Sequence, residues 1–344
     1  MRILPSSMPS SDMRSGRGWR GVLIVAAGTC VTALALVAAR VVWFDAYWIH
    51  RERPPWLALT NGANRLLDRQ TRRAKILQAL TRPYTIALVG SSTVYHGLDP
   101  QDADPALRGQ IFNVGISALM ADELPLVASV VASRRDLDRV VIGLDYYMFS
   151  RRKPPVALDP DLASRSGRWT ALMGSVISRY AIMDSTIGEV AGGEDPGSWT
   201  YAGFRITPKL PPALTRENDM IRRRTAAAYH SDTLDALHST LALLVGHDVE
   251  VYLSPVSDAQ RRVLADEGLL ADFSRWRSDV AEVAARHGVQ FADLVDLGST
   301  FPFDPAEGST DQWLDNLHFT PALGRRVLQE VRLRSPTPFR PTGQ

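Results

Sequence analysis

The sequence predicts an α/β protein: a three-layer α/β/α sandwich on a mostly parallel five-stranded sheet, preceded by one transmembrane helix. Three observations carry this. From residue 84 onward, apolar runs of strand length alternate with segments of helix length, the rhythm of a parallel sheet covered on both faces. The strand runs are continuously apolar, as strands buried on both sides must be. Upstream lies an uncharged run of 19 residues, Gly21 to Ala39, and beyond Arg40 the apolar character continues through Val41, Val42, Trp43 and Phe44.

Composition sets the outer bounds. A chain of 344 residues, 45% hydrophobic and 22% charged, is long and apolar enough to bury a core, which excludes disordered and collagen-like classes. With 39 basic against 37 acidic residues and a net charge of +2, no basic face is available for nucleic acid. The single cysteine, Cys30, can form neither an intramolecular disulfide nor a thiolate metal site. No metal and no cofactor is expected.

The N-terminal run is long enough to span a bilayer, because a helix rising about 1.5 Å per residue crosses about 30 Å of hydrocarbon in about 20 residues. Trp19, Trp43 and Trp48 are placed as interfacial anchors, and Arg2, Arg14, Arg17 and Arg20 all precede the span. The positive-inside tendency therefore puts residues 1–20 in the cytoplasm, 21–44 across the cytoplasmic membrane and the rest outside, periplasmic or extracellular. The alternative is a cleaved signal peptide with Val37-Ala38-Ala39 before its cleavage site, which exports the same domain. Thr29 before Cys30 and Ala27 make a poor lipidation box, leaving Cys30 as a small membrane-buried residue.

Residues 45–82, with Pro54, Pro55, Asn61 and the charged stretch Asp68 to Lys75, read as a linker followed by a helix on the domain edge. The domain proper is expected over 83–335. Its strands are Tyr84 to Gly90, Gln110 to Ile116, Arg139 to Asp145, Val249 to Pro255 and Val289 to Asp293. Its helices cover Ala121 to Arg135, with Pro125 in the first turn, then Thr233 to Gly246, Asp258 to His287, and a last one from Pro321 to near Arg334. Residues 151–225, rich in Pro, Gly and Arg with one helical stretch from Trp169 to Val190, read as an insertion over the site, too thin in apolar residues for a second core. Residues 336–344 are a tail.

Ligands of such sheets bind beyond the carboxyl ends of the strands. Gly90-Ser91-Ser92-Thr93 stands at the end of the first strand, where a hydroxyl is exposed at the sheet edge. Small polar residues can also simply make that turn, or form an anion-binding nest of amides. No P-loop lysine follows and the dinucleotide Gly-x-Gly-x-x-Gly fingerprint is absent. What raises the serine is Asp315-Asn316-Leu317-His318, just before the terminal helix. An Asp three residues before a His can reach its Nδ1 around a turn, leaving Nε2 free to take a serine proton. Ser92, Asp315 and His318 together make a triad in that chain order.

On these blocks the sequence resembles the SGNH, or GDSL-like, hydrolase superfamily over 84–150 and 245–334. Gly90-Ser91-Ser92 is similar to the Gly-Ser-Ser variant of membrane-anchored members, such as the D-alanyl transfer protein of teichoic acid modification and polysaccharide O-acetylation proteins. The resemblance implies Ser92 as nucleophile, with Ser91 the second candidate. It implies Asn113-Val114-Gly115 as the second block, the Gly115 amide joining that of Ser92 around a developing oxyanion. In the third block the chain departs, with Gly143-Leu144-Asp145-Tyr146 where the superfamily has Gly-x-Asn-Asp. An ionised Asp145 would repel an oxyanion, so it must be protonated or turned away, or backbone amides serve alone; its carboxylate could also cap the turn from Tyr146 to Ser150. The stretch Gly143 to Phe149 with Gly97-Leu98-Asp99-Pro100 resembles single-span bacterial proteins of the superfamily.

The remaining candidates have competing readings. His96 shares a face with Ser92 if a helix starts there, in a catalytic or a structural role. His50, His230, His238, His247 and His287 lack metal-ligand spacing. Arg222, Arg223 and Arg224 read as a solvated helix start or a face for an anionic glycan, and Trp313 as a core anchor or a sugar platform. The implied activity is that of a serine esterase or O-acyltransferase acting on a polysaccharide or other acylated carbohydrate outside the membrane. A transferase would need a multi-span membrane acyltransferase to bring the acyl group across. The alternative class is a non-catalytic glycan-binding or scaffold protein of a polysaccharide export or modification complex.

Overall fold

The computed structural model describes residues 15–56, 64, 66–185 and 197–335. Arg2, Arg14, the tail from 336 and the end of the helical stretch expected to reach Val190 lie outside the described residues. Helix α1 (Ser15–Phe44) contains an apolar stretch, Trp19–Phe44, whose most apolar 18 residues have mean hydropathy 2.5, long and apolar enough to cross a membrane. Its far end does not lead into a free linker. Val41 and Phe44 enter an apolar cluster with Tyr47, Trp48, Ile49, Trp56, Leu66 and Trp199, joined by Leu67 and Leu77 of α2 (Leu67–Thr81).

This collar is pinned by polar contacts. The Asp45 carboxylate accepts from the amides of Ile49, His50 and Arg51 at 2.7 to 2.8 Å, and Trp56 Nε1 donates to the Phe44 carbonyl at 2.6 Å. The linker expectation fails because the prolines and charges that suggested a loop hide three aromatic anchors. Trp48, expected at the membrane interface, is only 1% exposed and buried in protein, whereas Trp19 and Trp43 are exposed.

The sheet has the order β2-β1-β3-β6-β7, all parallel. Its strands are β1 (Ile86–Val89), β2 (Ile111–Asn113), β3 (Arg139–Leu144), β6 (Asp248–Leu253) and β7 (Gln290–Asp293). One face is covered by α4 (Leu124–Ala132), α8 (Leu234–Leu243) and α10 (Leu270–Arg286), and the other by α3 (Ser92–Gly97), α9 (Asp258–Asp266) and α11 (Pro321–Glu330). The single helical run expected over Asp258 to His287 is two helices, parted where Gly268 takes φ +69°. After β1 the chain goes to β2 on one side and then crosses to β3 on the other. That reversal opens a crevice at the carboxyl end of β1.

The insertion serves three places. Helices α5 (Arg165–Val176) and α6 (Arg179–Asp184) pack beside α1 and so do not lie over the site. A ribbon of β4 (Ser198–Trp199) and β5 (Arg205–Ile206) covers the free edge of β2, with the Asn113 amide donating to the Ala202 carbonyl at 2.9 Å. The fully buried Lys75 amine donates to the carbonyls of Asn113 and Gly203 and lies 5.1 Å from the Phe112 and Trp199 ring centres; burial, then Arg82, push its pKa well below normal. Gly203 (φ +84°) is required there, since a Cβ would come within 2.4 Å of the Asn113 carbonyl. Finally α7 (Pro212–Thr225) reaches the site, with Arg222, Arg223 and Arg224 in its last turn rather than its first. Pro212 starts that helix, and cations at its end complement the helix dipole.

Candidate active site

The site begins where β1 stops. A Cβ on Gly90 would come within 2.6 Å of the Gly143 carbonyl, so only glycine lets β1 turn this closely past β3. Ser91 then caps α3, its Oγ accepting from the Thr93 amide at 3.2 Å. This makes Ser92 the first helical residue, and its amide, one of those without an intrahelical acceptor, remains available at the helix start. The Ser91 side chain is wholly buried and donates to Asp145, which leaves Ser92 as the hydroxyl facing the crevice.

Ser92 Oγ lies 2.8 Å from His318 Nε2, and His318 Nδ1 lies 2.9 Å from Asp315 Oδ2. The turn before α11 builds this geometry locally, because Asp315 Oδ1 accepts from the amides of Leu317 and His318, each at 2.9 Å. Burial alone would raise the Asp315 pKa, but the charge and hydrogen bond of His318, with Arg222 beyond, hold it well below the usual carboxylate range. A carboxylate at Nδ1 selects the tautomer whose Nε2 accepts the Ser92 proton.

Sequence reasoning missed two supports. Asn218 of α7 donates to Asp315 Oδ2 at 2.9 Å, and Asp219 accepts from Asn316 Nδ2 at 2.6 Å, so the insertion clamps the Asp-x-x-His turn from outside. A polar pair on a helix otherwise read as solvated gives no signal of that contact. His96 packs its ring 4.8 Å from that of His318 and meets Thr207 Oγ1 through Nδ1 at 2.8 Å. Burial, then His318 and Arg205, push its pKa well below normal, so it stays neutral beside the imidazole.

Gly115 has its amide already engaged. Its amide donates to Asn113 Oδ1 at 2.9 Å, while Asn113 Nδ2 donates to the carbonyls of Val94 and Leu98 at 3.0 and 2.9 Å. Asn113 thus staples this loop to the back of α3, and the Gly115 amide is spent in doing so. A Cβ at 115 would come within 2.9 Å of Asn113 Oδ1 and the Tyr95 amide nitrogen. Gly115→Ala is expected to cost about 1–3 kcal/mol by overpacking and to lower the melting midpoint by several degrees. Thermal unfolding beside an active-site titration checks this: turnover per folded molecule should be retained.

Asp145 is turned away from Ser92. Its carboxylate accepts from Ser91 Oγ and, at 2.9 Å, from Thr93 Oγ1, on either side of Ser92 in sequence. Burial raises its pKa, only partly offset by those hydroxyls. A carboxyl whose folded pKa exceeds its unfolded value weakens the fold as pH climbs from the unfolded towards the folded pKa, and the deficit persists above it. Asp145→Asn keeps an acceptor for both hydroxyls and removes that penalty. The melting midpoint of the variant should exceed that of the parent at pH 8 by more than at pH 4, as thermal scans across that range will read.

Trp313 is wholly buried among Phe303, Phe319 and Leu323, and its Nε1 donates to the Phe301 carbonyl at 2.9 Å. It is a core anchor, not a sugar platform. His238 and His287 meet at 3.0 Å, but among the described residues no three metal-ligating groups converge.

No family model and no curated protein matches the chain. Among the solved structures that resemble it are two. One is a protein provisionally described as a platelet activating factor, from Streptococcus pneumonia: 12% identity, TM-score 0.38, 78% of this chain and 96% of that one. The other is the inhibitor-bound aryl esterase of M. smegmatis: 16% identity, TM-score 0.31, 72% of this chain and 98% of that one. What this site can do follows from its own geometry.

Proposed function

We propose that the chain is a serine esterase or O-acyltransferase, anchored in the cytoplasmic membrane with its N-terminus inside, acting on an acylated cell-surface polysaccharide. The observation that carries the chemistry is the chain of hydrogen bonds from Ser92 Oγ through His318 to Asp315 at the carboxyl edge of the sheet. Ser92 Oγ attacks the acyl carbonyl as His318 Nε2 takes its proton. The proton returns to the departing sugar hydroxyl, leaving an acyl-Ser92. Water or a second hydroxyl, deprotonated by His318, then releases the acyl group and restores Ser92. Asp315 holds the imidazole in register and stabilises its cation.

The oxyanion needs two donors. One is the amide of Ser92. For the second the resemblance points to the Gly115 amide, which would have to give up Asn113 Oδ1 to serve. Arg72 binds the Ser117 carbonyl and, at 3.1 Å, the Ala118 carbonyl, and pairs with Glu123, which ties down the turn that follows Gly115. Asp145 is bonded to the hydroxyls of Ser91 and Thr93 and does not oppose this scheme.

The polysaccharide and the membrane side rest on the resemblance and on α1; a transferase would still require its multi-span partner. Treating the detergent-purified full chain with a fluorophosphonate and mapping the adduct by mass spectrometry tests the chemistry. Label on the Ser92 peptide is expected. Labelling that survives Ser92→Ala unchanged would sink the assignment.

A further inference from the structure

The insertion carries an apolar face that the proposed chemistry does not use. Outside α1, large exposed hydrophobic residues among the described residues fall most densely here, where six lie within fifteen residues: Trp169, Met173, Ile177, Tyr180, Ile182 and Met183. Trp169, Met173 and Ile177 recur every fourth residue along one side of α5 and its C-cap, and each is more than half exposed. The opposite side, with Ala171 and Leu172, packs on the collar cluster, so the outward face is not a misfit of the core. A contiguous apolar surface of this kind marks an interaction site.

Its position says what covers it. Val37 and Val41 of α1 belong to the same cluster as Ala171, Leu172 and Ala181, and Arg40 Nη2 donates to the Ser185 carbonyl at 2.9 Å. Val37 lies seven residues before the end of α1, about 10 Å along the helix axis. The uncharged run of α1 ends at Ala39. Helices that touch α1 between Val37 and Phe44 therefore sit at the level where hydrocarbon gives way to headgroups. The exposed guanidiniums of Arg165 and Arg179 flank the apolar face, and the exposed Trp43 of α1 stands at the same level, the pattern of helices that lie in a membrane interface.

We propose that α5 and α6 lie in the acyl–headgroup boundary of the leaflet nearest the domain, forming a second membrane contact beside α1. This rests on α1 crossing the bilayer and not on the reaction assigned to Ser92. Two attachments fix the tilt of the domain against the membrane, which one helix alone leaves free, and so hold the Ser92 crevice at a constant height.

The test uses the full chain carrying Cys30→Ser, reconstituted in vesicles of phosphatidylcholine and phosphatidylglycerol. A nitroxide is placed in turn by Met173→Cys, Ile177→Cys, Leu34→Cys within α1, and Val245→Cys, which is 79% exposed on the loop after α8. Collision with oxygen, which concentrates in hydrocarbon, is compared with collision with a water-soluble nickel chelate. The oxygen-to-nickel ratio at 173 and 177 is expected severalfold above that at 245 and close to that at 34. A ratio at 173 and 177 equal to that at 245 would show a water-facing surface and overturn the proposal. Low collision with both reagents would show a second copy or another protein covering the face, which also overturns it, as would nickel access at 34. The readout does not depend on ester turnover, so it stands apart from any failure of the Ser92 assignment.

Discussion

Ser92→Ala is expected to lower kcat for a chromogenic acetyl ester by about 10⁴-fold or more, with the melting midpoint moving by no more than about 3 °C. In the proposed mechanism the Ser92 hydroxyl forms the acyl bond, and its removal accounts for the large kinetic effect. The small thermal effect follows from what else the hydroxyl does: its one side-chain contact is the 2.8 Å bond to His318, at a helix start on the crevice rim. His318→Ala should cost a similar factor, and the double variant should be scarcely slower than either single one, because groups that act as a unit are not additive. Turnover of Ser92→Ala within tenfold of the parent would mean that another group is the nucleophile. Multiplying losses in the double variant would mean that Ser92 and His318 act separately.

Asp315→Asn is expected to lower kcat by about 10³- to 10⁴-fold while leaving the binding of a non-hydrolysable ester analogue intact. The two amides of the turn still find an acceptor in the new Oδ1, so the backbone geometry survives. The new NH₂ faces either His318 Nδ1 or Asn218 Nδ2. Against Nδ1 it favours the tautomer protonated at Nε2, which cannot take the serine proton. The acid side of the stability curve gives a second readout. A carboxylate whose folded pKa lies below its unfolded value adds stability above the unfolded pKa, near 3.8, and loses it as pH falls through the folded one. The parent should therefore lose stability below about pH 4 through this group, and Asp315→Asn should lack that component. Steady-state kinetics at pH 7 with denaturant curves at pH 3 and pH 7 will show both effects. A variant with full activity would remove Asp315 from the mechanism.

What the sequence determined by itself are the features that a short stretch of chain settles for itself. The central strands β1 and β3 are legible because each is a short run of four or five buried apolar residues bounded by small or polar ones, and Gly90 ends the first of them. Asp315 to His318 is legible for the same reason: three residues around one turn bring carboxylate, amides and imidazole together without help from elsewhere. Only tertiary structure decided the rest, since a hydrogen-bond partner is set by whichever segment packs nearby, however far off in sequence. Ser92 meets His318 across 226 positions and Asn218 meets Asp315 across 97, distances at which residue type carries no information about direction. The Gly115 amide looks free in sequence and is spent on Asn113, two residues away, because α3 fixes the Asn113 amide group with its own carbonyls. Asp145 looks like an intruder in the oxyanion site until Ser91 and Thr93 turn it aside. The collar around Trp48 and Trp56 reads as a linker because its apolar partners, α2 and Trp199, arrive from distant parts of the chain, and burial is a property of the assembled cluster rather than of any one segment.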